Sequence, residues 1–508
     1  MSTPSSSNKR IAKNTLMLYI RMFISMLVGL YTSRVVLATL GVEDYGIYGV
    51  VGGVVGMMGF LNASMSGATS RFLTFELGKG DKERLAKTFS SALIVHIGIA
   101  IVVLILAETV GLWFLSNKLN IPAERMQAAH WVYQLSILSA MFGITQVPYN
   151  AAIIAHEKMD VYAYVEILNV SLKLLIVYLL CIGNFDKLIL YASLMLAVSI
   201  LIMMVYRIYA IRHFPEAHFH WIWDKTYLRP LLSFSGWNLY GNFGNVVGTQ
   251  GTTFVVNAFF GVVMNAAVSV GLTVANVVNQ FASNALTAFR PPITKLYAQG
   301  DVAEMQNLTM LALKSILFLY SLVAIPVFAE CDYLLHLWLV EVPQHSVIFC
   351  RILLVNIFFE ILRFIIIIDI HASGNVKYVS AFTGTTFVVT PLVVYGCYSI
   401  NLPPETGYVV FVLINILLGI CNVFIAKHYI PQISKRIYLF NILRIVAVCA
   451  IALLIVLALN SYMPNHFIRL IFSTILSVSI LSTLALTACF NSHQRSALFQ
   501  FLKTKFHK

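Results

Sequence analysis

The stretch TSRVVLATLGVEDYGIYGVVGGVVGMMGFLNASMSGATSRFLTFELGKGD (Thr32–Asp81) returns 220 residues later as TTFVVNAFFGVVMNAAVSVGLTVANVVNQFASNALTAFRPPITKLYAQGD (Thr252–Asp301). With no gap, Thr32, Val35, Val36, Gly41, Val42, Val54, Ala68, Thr74, Gly80 and Asp81 meet Thr252, Val255, Val256, Gly261, Val262, Val274, Ala288, Thr294, Gly300 and Asp301. Apolar matches alone would carry little. Here the loop glycines at 41 and 261, and the Gly-Asp turns at 80 and 300, coincide as punctuation. The pattern predicts a duplicated lobe, with two related halves facing each other.

Around this repeat the chain is 59% hydrophobic and only 11% charged over 508 residues, too apolar for a soluble protein of this length. A bilayer admits only helices of about 20 apolar residues or closed barrels. The apolar runs are long and do not alternate, so an all-α polytopic membrane protein is expected. The first run, Leu16 to Leu40, follows a Ser-rich tail with Lys9, Arg10 and Lys13 and superficially copies a secretory signal. Its length, Arg21 and Arg34, and the lack of a small-residue cleavage site make it an uncleaved first span. The seven cysteines lie mostly inside spans without a CxxC pair, which suits apolar packing and indicates no disulfide framework, metal or cofactor site.

A tail at 1–14 precedes an N-lobe at 15–206 with spans 15–40, 45–75, 86–114, 128–154, 161–182 and 188–206. A basic connector, 207–229, leads to a C-lobe at 230–426 with spans 230–258, 263–289, 307–329, 346–370, 378–400 and 407–426. Spans 437–460 and 467–490 have no counterpart in the first half, and 491–508 form a second tail. The expected plan is about 14 transmembrane helices: six, six and two.

Basic residues mark the cytoplasmic side of short loops. With both termini inside, inner segments hold 22 Lys and Arg, whereas outer loops hold only Lys118, Arg125, Lys187 and Arg469. The net charge of +13 is therefore read as a cytoplasmic fringe on anionic headgroups, not a nucleic-acid surface. Trp113, Trp131 and Trp338 fall near the outer interface, and Trp221, Trp223 and Trp237 near the inner one, as an aromatic belt.

Eight bases remain inside spans: Arg21, Arg34, Arg71, Lys173, Lys314, Arg351, Arg363 and Arg444. Only Glu108, Glu166, Glu360 and Asp369 oppose them. Each Arg or Lys at a helix centre costs about 2.5 to 3.5 kcal/mol on insertion scales, so such residues face protein or a wet cavity. Arg21, Arg71, Arg351 and Arg444 are close enough to span ends to snorkel. Lys173 and Arg363 are too central for that, and Arg34 and Lys314 are intermediate. Glu166, Asn169 and Lys173 share one helical face, as do Asn356, Glu360 and Arg363. Either set fastens helices as a buried network or lines a site.

Uncharged polar residues form further stripes: Asn238, Asn242, Asn245, Thr249 and Thr252; Asn62, Ser66 and Thr69; Asn276, Gln280, Ser283 and Thr287. The offset of 220 maps Asn245 to Ser25 and Thr252 to Thr32, on the face that carries Arg21. Such residues can glue helices together. Stripes on corresponding helices of both repeats fit a wet cavity between the lobes better. No GxxxxGK[ST] loop occurs, and the predicted outer loops are short, so no catalytic residues are assigned and a transporter is expected rather than an enzyme.

The opening NTLMLYIRMFISMLVGLYTSRVVLATLGVEDYGIYGVVGG (Asn14–Gly53), the block VPYNAAIIAHEKMDVYAYVEI (Val147–Ile167) and the six-six-two plan resemble prokaryotic polysaccharide repeat-unit flippases. These belong to the multidrug/oligosaccharidyl-lipid/polysaccharide (MOP) exporter superfamily. The resemblance covers nearly the whole chain. It implies a MOP/MATE-like fold in the bacterial inner membrane and alternating-access transfer of an undecaprenyl-diphosphate-linked oligosaccharide to the outer leaflet. That would serve O-antigen or other surface polysaccharide synthesis, with a polysaccharide polymerase as a possible partner. The two extra spans look like those that, in related lipid II flippases, make a lipid-tail groove. Under this reading Arg34, Lys173 and Arg363, with Arg21 and Lys314, are candidates for the diphosphate. Asn62, Asn242, Asn245 and Gln280 are candidates for sugar, and Glu166 or Glu360 for a coupling proton. The runner-up is an ion-coupled organic-cation antiporter of the same superfamily. A membrane-embedded glycosyl or acyl transferase is the rival from another class.

Overall fold

The computed structural model describes residues 4–56, 59–118, 121–180, 185–221, 224–339, 342–462 and 467–489. Among them every regular element is helical. The first part holds α1 (Pro4–Gly56), α2 (Gly59–Lys79), α3 (Lys82–Leu106), α4 (Leu112–Lys118), α5 (Met126–Ala155), α6 (Met159–Leu179) and α7 (Lys187–His213). Then come α8 (Lys225–Ala298), α9 (Val302–Ala329), α10 (Cys331–Trp338), α11 (Ser346–Ser373), α12 (Lys377–Ser399), α13 (Thr406–Tyr429), α14 (Lys435–Asn460) and α15 (Phe467–Leu484). The tail expected at 1–14 is helical from Pro4. The C-terminal tail lies outside the described residues.

The duplication is written in the backbone. α1 and α8 run straight through the loops expected at 41 and 261, bending at Gly41 (φ 82, ψ 168) and Gly261 (φ 78, ψ −175). Those angles lie in a region that essentially only glycine occupies. Gly80 (φ 76) and Gly300 (φ 81) repeat as well. Asp81 then caps α3 by accepting from the Arg84 amide at 3.0 Å, and Asp301 caps α9 from the Glu304 amide at 3.1 Å. Thr74 and Thr294 each donate to the carbonyl four residues back, and Val36/Val256 and Ala68/Ala288 are buried pairs. Gly41→Ala and Gly261→Ala are each expected to lose about 1–3 kcal/mol, equal within error, in thermal-unfolding measurements. A loss confined to one copy would contradict their equivalence.

Among the described residues ten helices are long and apolar enough to cross a membrane, as a multi-pass membrane protein requires. Four expected spans fall outside that set. The span 346–370 lies in α11, which carries Arg351, Glu360, Arg363 and Asp369; 230–258 lies in the first half of α8, with Asn238, Asn242, Asn245, Gln250 and Asn257. Spans 15–40 and 45–75 lie in α1 and α2, parts of which are outside the described residues.

The chain divides into two compact units, Lys13–Leu239 and Tyr240–Lys508, the latter taking in Met1–Ala12. In the first, α5 and α7 form the most extensive helix pair, and Phe89, Tyr149, Val165 and Tyr206 share its largest core. In the second, α11 and α13 hold that place, with α9 against α11 and α14. Within it α8 meets α12 at glycine: a Cβ on Gly244 would sit 2.4 Å from the Gly384 carbonyl oxygen, so the two backbones touch. The described cysteines are free, and Cys331, Cys350, Cys449 and Cys489 are buried.

Candidate functional site

In the unit Lys13–Leu239 the polar face predicted on α6 meets α1 and α7. The Arg21 guanidinium stands 4.8 Å from the Tyr162 ring centre, and Tyr162 lies 6.2 Å from Tyr206. Arg21 and Glu166 both act electrostatically on the Tyr206 hydroxyl. Asn169 Nδ2 donates to Glu166 Oε1 at 3.4 Å, as the shared face requires. Lys173 is half-buried two turns further on and has no hydrogen bond or ion pair among the described residues. The side chains of Arg34 and Asn62 lie outside the described residues. Arg207, assigned to the cytoplasmic connector from sequence, belongs instead to α7, which continues to His213. Its Nη2 donates to Thr145 Oγ1 of α5 at 2.8 Å, over the Tyr149 ring.

Both ends of this unit are braced by charge. Arg125 reaches Asp44 at 2.6 Å and Asp186 at 2.6 Å, tying the turn after Gly41 to the starts of α5 and α7. Burial pushes the Asp186 carboxyl up, but the Arg125 hydrogen bond and the Ile189 and Leu188 amides hold it below the usual range. The second unit repeats the device with other residues: His345, the cap of α11, lies 2.5 Å from Glu405, the cap of α13. At the other end of the first unit, His156 contacts Glu216 at 2.5 Å and stacks on Phe214 at 4.1 Å.

Burial raises the Glu216 carboxyl, yet the His156 hydrogen bond and its own backbone bring it below the ordinary glutamate value. A depressed folded pKa stabilises fully above the unfolded value, about 4.3, and is lost as pH falls through the folded value. Wild type minus Glu216→Gln should therefore show a stability difference that is constant at neutral pH and shrinks below about pH 4. Thermal melts across pH 3–7 test this, and a difference that grows on acidification would refute it.

In the unit from Tyr240, Arg363 is 2% exposed, between α11 and α13. Its Nε donates to Asn415 Oδ1 at 2.9 Å, and Asn415 Nδ2 donates to Asn356 Oδ1 at 2.9 Å. Phe364 and Phe387 lie 4.7 and 5.5 Å from the guanidinium carbon. Among the described residues its two Nη groups have no hydrogen bond. Glu360, one turn away on α11, is the acid that Arg363 feels most directly. The predicted face of Asn356, Glu360 and Arg363 is thus real, but the partner that holds it, Asn415, carried no sequence signal.

Beyond Gly261, α8 turns a long polar stripe outward. Ser269, Thr273, Asn276, Gln280 and Ser283 are exposed and Thr287 is half-buried, at alternating steps of four and three, and the line ends at Arg290. Ala267, Val268, Ala275, Val278, Ala282 and Ala285 are buried on the other side. The four hydroxyls donate back to helix carbonyls at 2.8–3.2 Å, which leaves their lone pairs and the Asn276 and Gln280 amides facing out. Lipid would leave those groups unsatisfied, so this face suits water. Sequence reading found four of these residues and missed Ser269 and Thr273, which the heptad spacing could have supplied. Asn242 is exposed and Asn245 half-buried on the preceding half of α8. Thr69, expected on a lining stripe of α2, is instead fully buried.

Lys314, a diphosphate candidate from sequence, is placed elsewhere. It is 6% exposed on α9, and the ionisable groups in reach are Arg444 of α14 and Cys489. It therefore does not join Arg363 or the α8 stripe.

The fold is similar to that of solved transporters of the MOP superfamily. The chain is similar to an outward-facing multidrug resistance MATE family transporter, at TM-score 0.69 and 15% identity over 87% of this chain and 96% of the other. It is also similar to a MATE protein in the bent conformation, at TM-score 0.71 and 13% identity over 88% and 98%. A third is a MOP superfamily transporter from Pyrococcus furiosus Vc1 (DSM3638), for which a reversed binding-pocket polarity is described. It matches at TM-score 0.65 and 14% identity over 87% and 96%. No family model matches the sequence, and no curated protein matches it.

Proposed function

We propose that this chain is a flippase that moves an undecaprenyl-diphosphate-linked oligosaccharide from the cytoplasmic to the outer leaflet of a bacterial inner membrane by alternating access. The observation that carries this reading is the outward polar stripe of α8, which has six uncharged hydrogen-bonding residues, an arginine at its end and no carboxylate. Hydroxyl acceptors and amide donors suit sugar hydroxyls, and a cation suits a diphosphate. Asn242, Asn245 and Gln280 would contact sugar. Arg363 in the second unit and Lys173 in the first offer donors suited to the anionic head, and Arg21, Arg34 and Lys314 are the further diphosphate candidates from sequence. Glu166 and Glu360 remain candidates for a coupled proton, and the cytoplasmic placement of both termini follows from the basic loops.

The multidrug neighbours favour a second reading, export of organic cations. A cationic cargo asks for an acidic lining, and the α8 stripe offers none.

The test is leaflet-resolved movement of a labelled polyprenyl-diphosphate oligosaccharide in liposomes that contain only this protein. Transbilayer movement above protein-free liposomes is expected. Movement of a cationic dye with no movement of the lipid-linked sugar would replace this reading by the second. Covalent product without transfer would assign a transferase.

A further inference from the structure

Cys331 opens α10 and Cys350 lies on the second turn of α11, and both are buried, at 1% and 0% exposure. Their thiols are hydrogen-bonded to each other. Cys331 Sγ also donates to the Val347 carbonyl at 3.9 Å, one turn before Cys350 on the same helix, so its sulfur rests on that stretch of α11. A further contact fixes the approach of the two helices: Arg351 Nε donates to the Phe328 carbonyl at 3.2 Å and holds the end of α9 against α11. The sulfurs meet because the backbone on either side of each is already packed.

Thiols in contact have different fates on the two sides of a bacterial inner membrane. The cytoplasm keeps them reduced, whereas the outer compartment oxidises them. The basic loops place both termini inside, and on that placement the segment joining α9 to α11 faces out. The internal repeat shows what a bond here would add. The offset of 220 carries Cys331 and Cys350 onto Gly111 and His130, so the first half has no counterpart. Its outer end is braced instead by Arg125, with Asp44 and Asp186 each at 2.6 Å. At the matching end of the second unit a His345–Glu405 pair stands in for that three-residue network.

We propose that Cys331 and Cys350 form a disulfide on the outer side of the membrane, stapling the junction of α9 and α10 to α11. The sulfurs have to close from hydrogen-bond contact to the roughly 2.0 Å of an S–S bond, a movement on the scale of side-chain rotation. The oxidant is a dithiol oxidant of the outer compartment in its disulfide form. One cysteine thiolate attacks that disulfide and releases one of its sulfurs as thiolate; the other cysteine thiolate attacks the mixed disulfide, the Cys331–Cys350 bond forms, and the oxidant leaves as a dithiol. The cysteines give up two protons and two electrons, and the oxidant takes up both. Neither thiol reaches solvent in the folded chain, so the exchange precedes the final closing of α10 on α11, and folding then shields the bond. The site lies apart from the α8 stripe and rests on the outward placement of this segment, not on the cargo.

The full chain is expressed in a bacterial inner membrane, extracted without reductant, denatured and alkylated, and its peptides are mapped by mass spectrometry. Five of the seven cysteines should take the label, with Cys331 and Cys350 recovered as one cross-linked peptide pair that separates on reduction. Cys331→Ser and Cys350→Ser should each release the remaining thiol to the label and melt several degrees below unreduced wild type. A C-terminal reporter that fluoresces only in the cytoplasm checks the placement in the same cells. Seven labelled cysteines with a fluorescent tail overturn the pairing itself, and seven with a dark tail overturn it through its premise. Linkage of Cys331 or Cys350 to any other thiol also overturns it. If neither serine variant can be isolated, the wild-type peptide map alone decides.

Discussion

Glu330→Ala should lower stability by about 3–5 kcal/mol, the largest loss expected from any single change outside the apolar core. Glu330 sits at the end of α9 with no exposure. Its carboxylate takes Arg469 Nε at 3.0 Å and Nη2 at 2.8 Å, and Asn460 Nδ2 at 2.6 Å. One acid therefore holds the start of α15 and the end of α14 against α9. Removing it takes the carboxylate from a guanidinium that is only 14% exposed, and the cost is mostly that of a buried charge losing its counter-ion. The double variant Glu330→Leu/Arg469→Leu removes both charges and should regain most of the loss. Thermal unfolding of the purified protein in detergent measures both. A single variant that melts with wild type would mean that the pair contributes nothing.

On the proposed flippase function, Arg363→Ala should reduce transfer of the lipid-linked oligosaccharide by about ten- to a hundredfold, the equivalent of one charge-assisted contact of about 1.5–3 kcal/mol. The argument is geometric. Nε is occupied by Asn415 at 2.9 Å and two rings flank the plane, so the guanidinium cannot turn, and its two Nη groups remain as a fixed fork. A fork of that shape matches paired phosphate oxygens, which a lysine cannot copy, so Arg363→Lys should recover little. The competing view is that Arg363 only ties α11 to α13. Arg363→Met/Asn415→Leu separates the two: it replaces the polar tie with packing and should restore the melting temperature without restoring transfer. If transfer returns with stability, Arg363 is a fastener alone.

The parts of this protein that were legible in its sequence are those set by neighbours along the chain. Gly41 and Gly261 repeat because a sharp bend between two helices needs backbone angles that only glycine takes cheaply, and both show them. Asp81 and Asp301 repeat because each new helix needs a side-chain acceptor for its first amides. The helical face shared by Glu166 and Asn169, and the α8 stripe, follow from 3.6 residues per turn. The spans themselves follow from the bilayer's demand that backbone bonds close within one segment.

What pairs with what was not legible. Arg469 read as one more outer-loop base, yet it closes on an acid 139 positions away. Arg363 read as the partner of its helical neighbour Glu360, while its hydrogen bond goes to Asn415, 52 positions on. Lys314 read as a member of the same charge set as Arg363, and packing of α9 against α14 sets it beside Arg444 instead. The same offset of 220 that aligns glycines and caps says nothing about these, because charges were not duplicated with the helices. Periodicity and turn chemistry are local, so the sequence by itself determined the duplicated helical membrane architecture and which face of each helix is polar. Whether a buried charge meets an acid, an amide or another cation depends on how separate helices pack, and only the tertiary structure decided that.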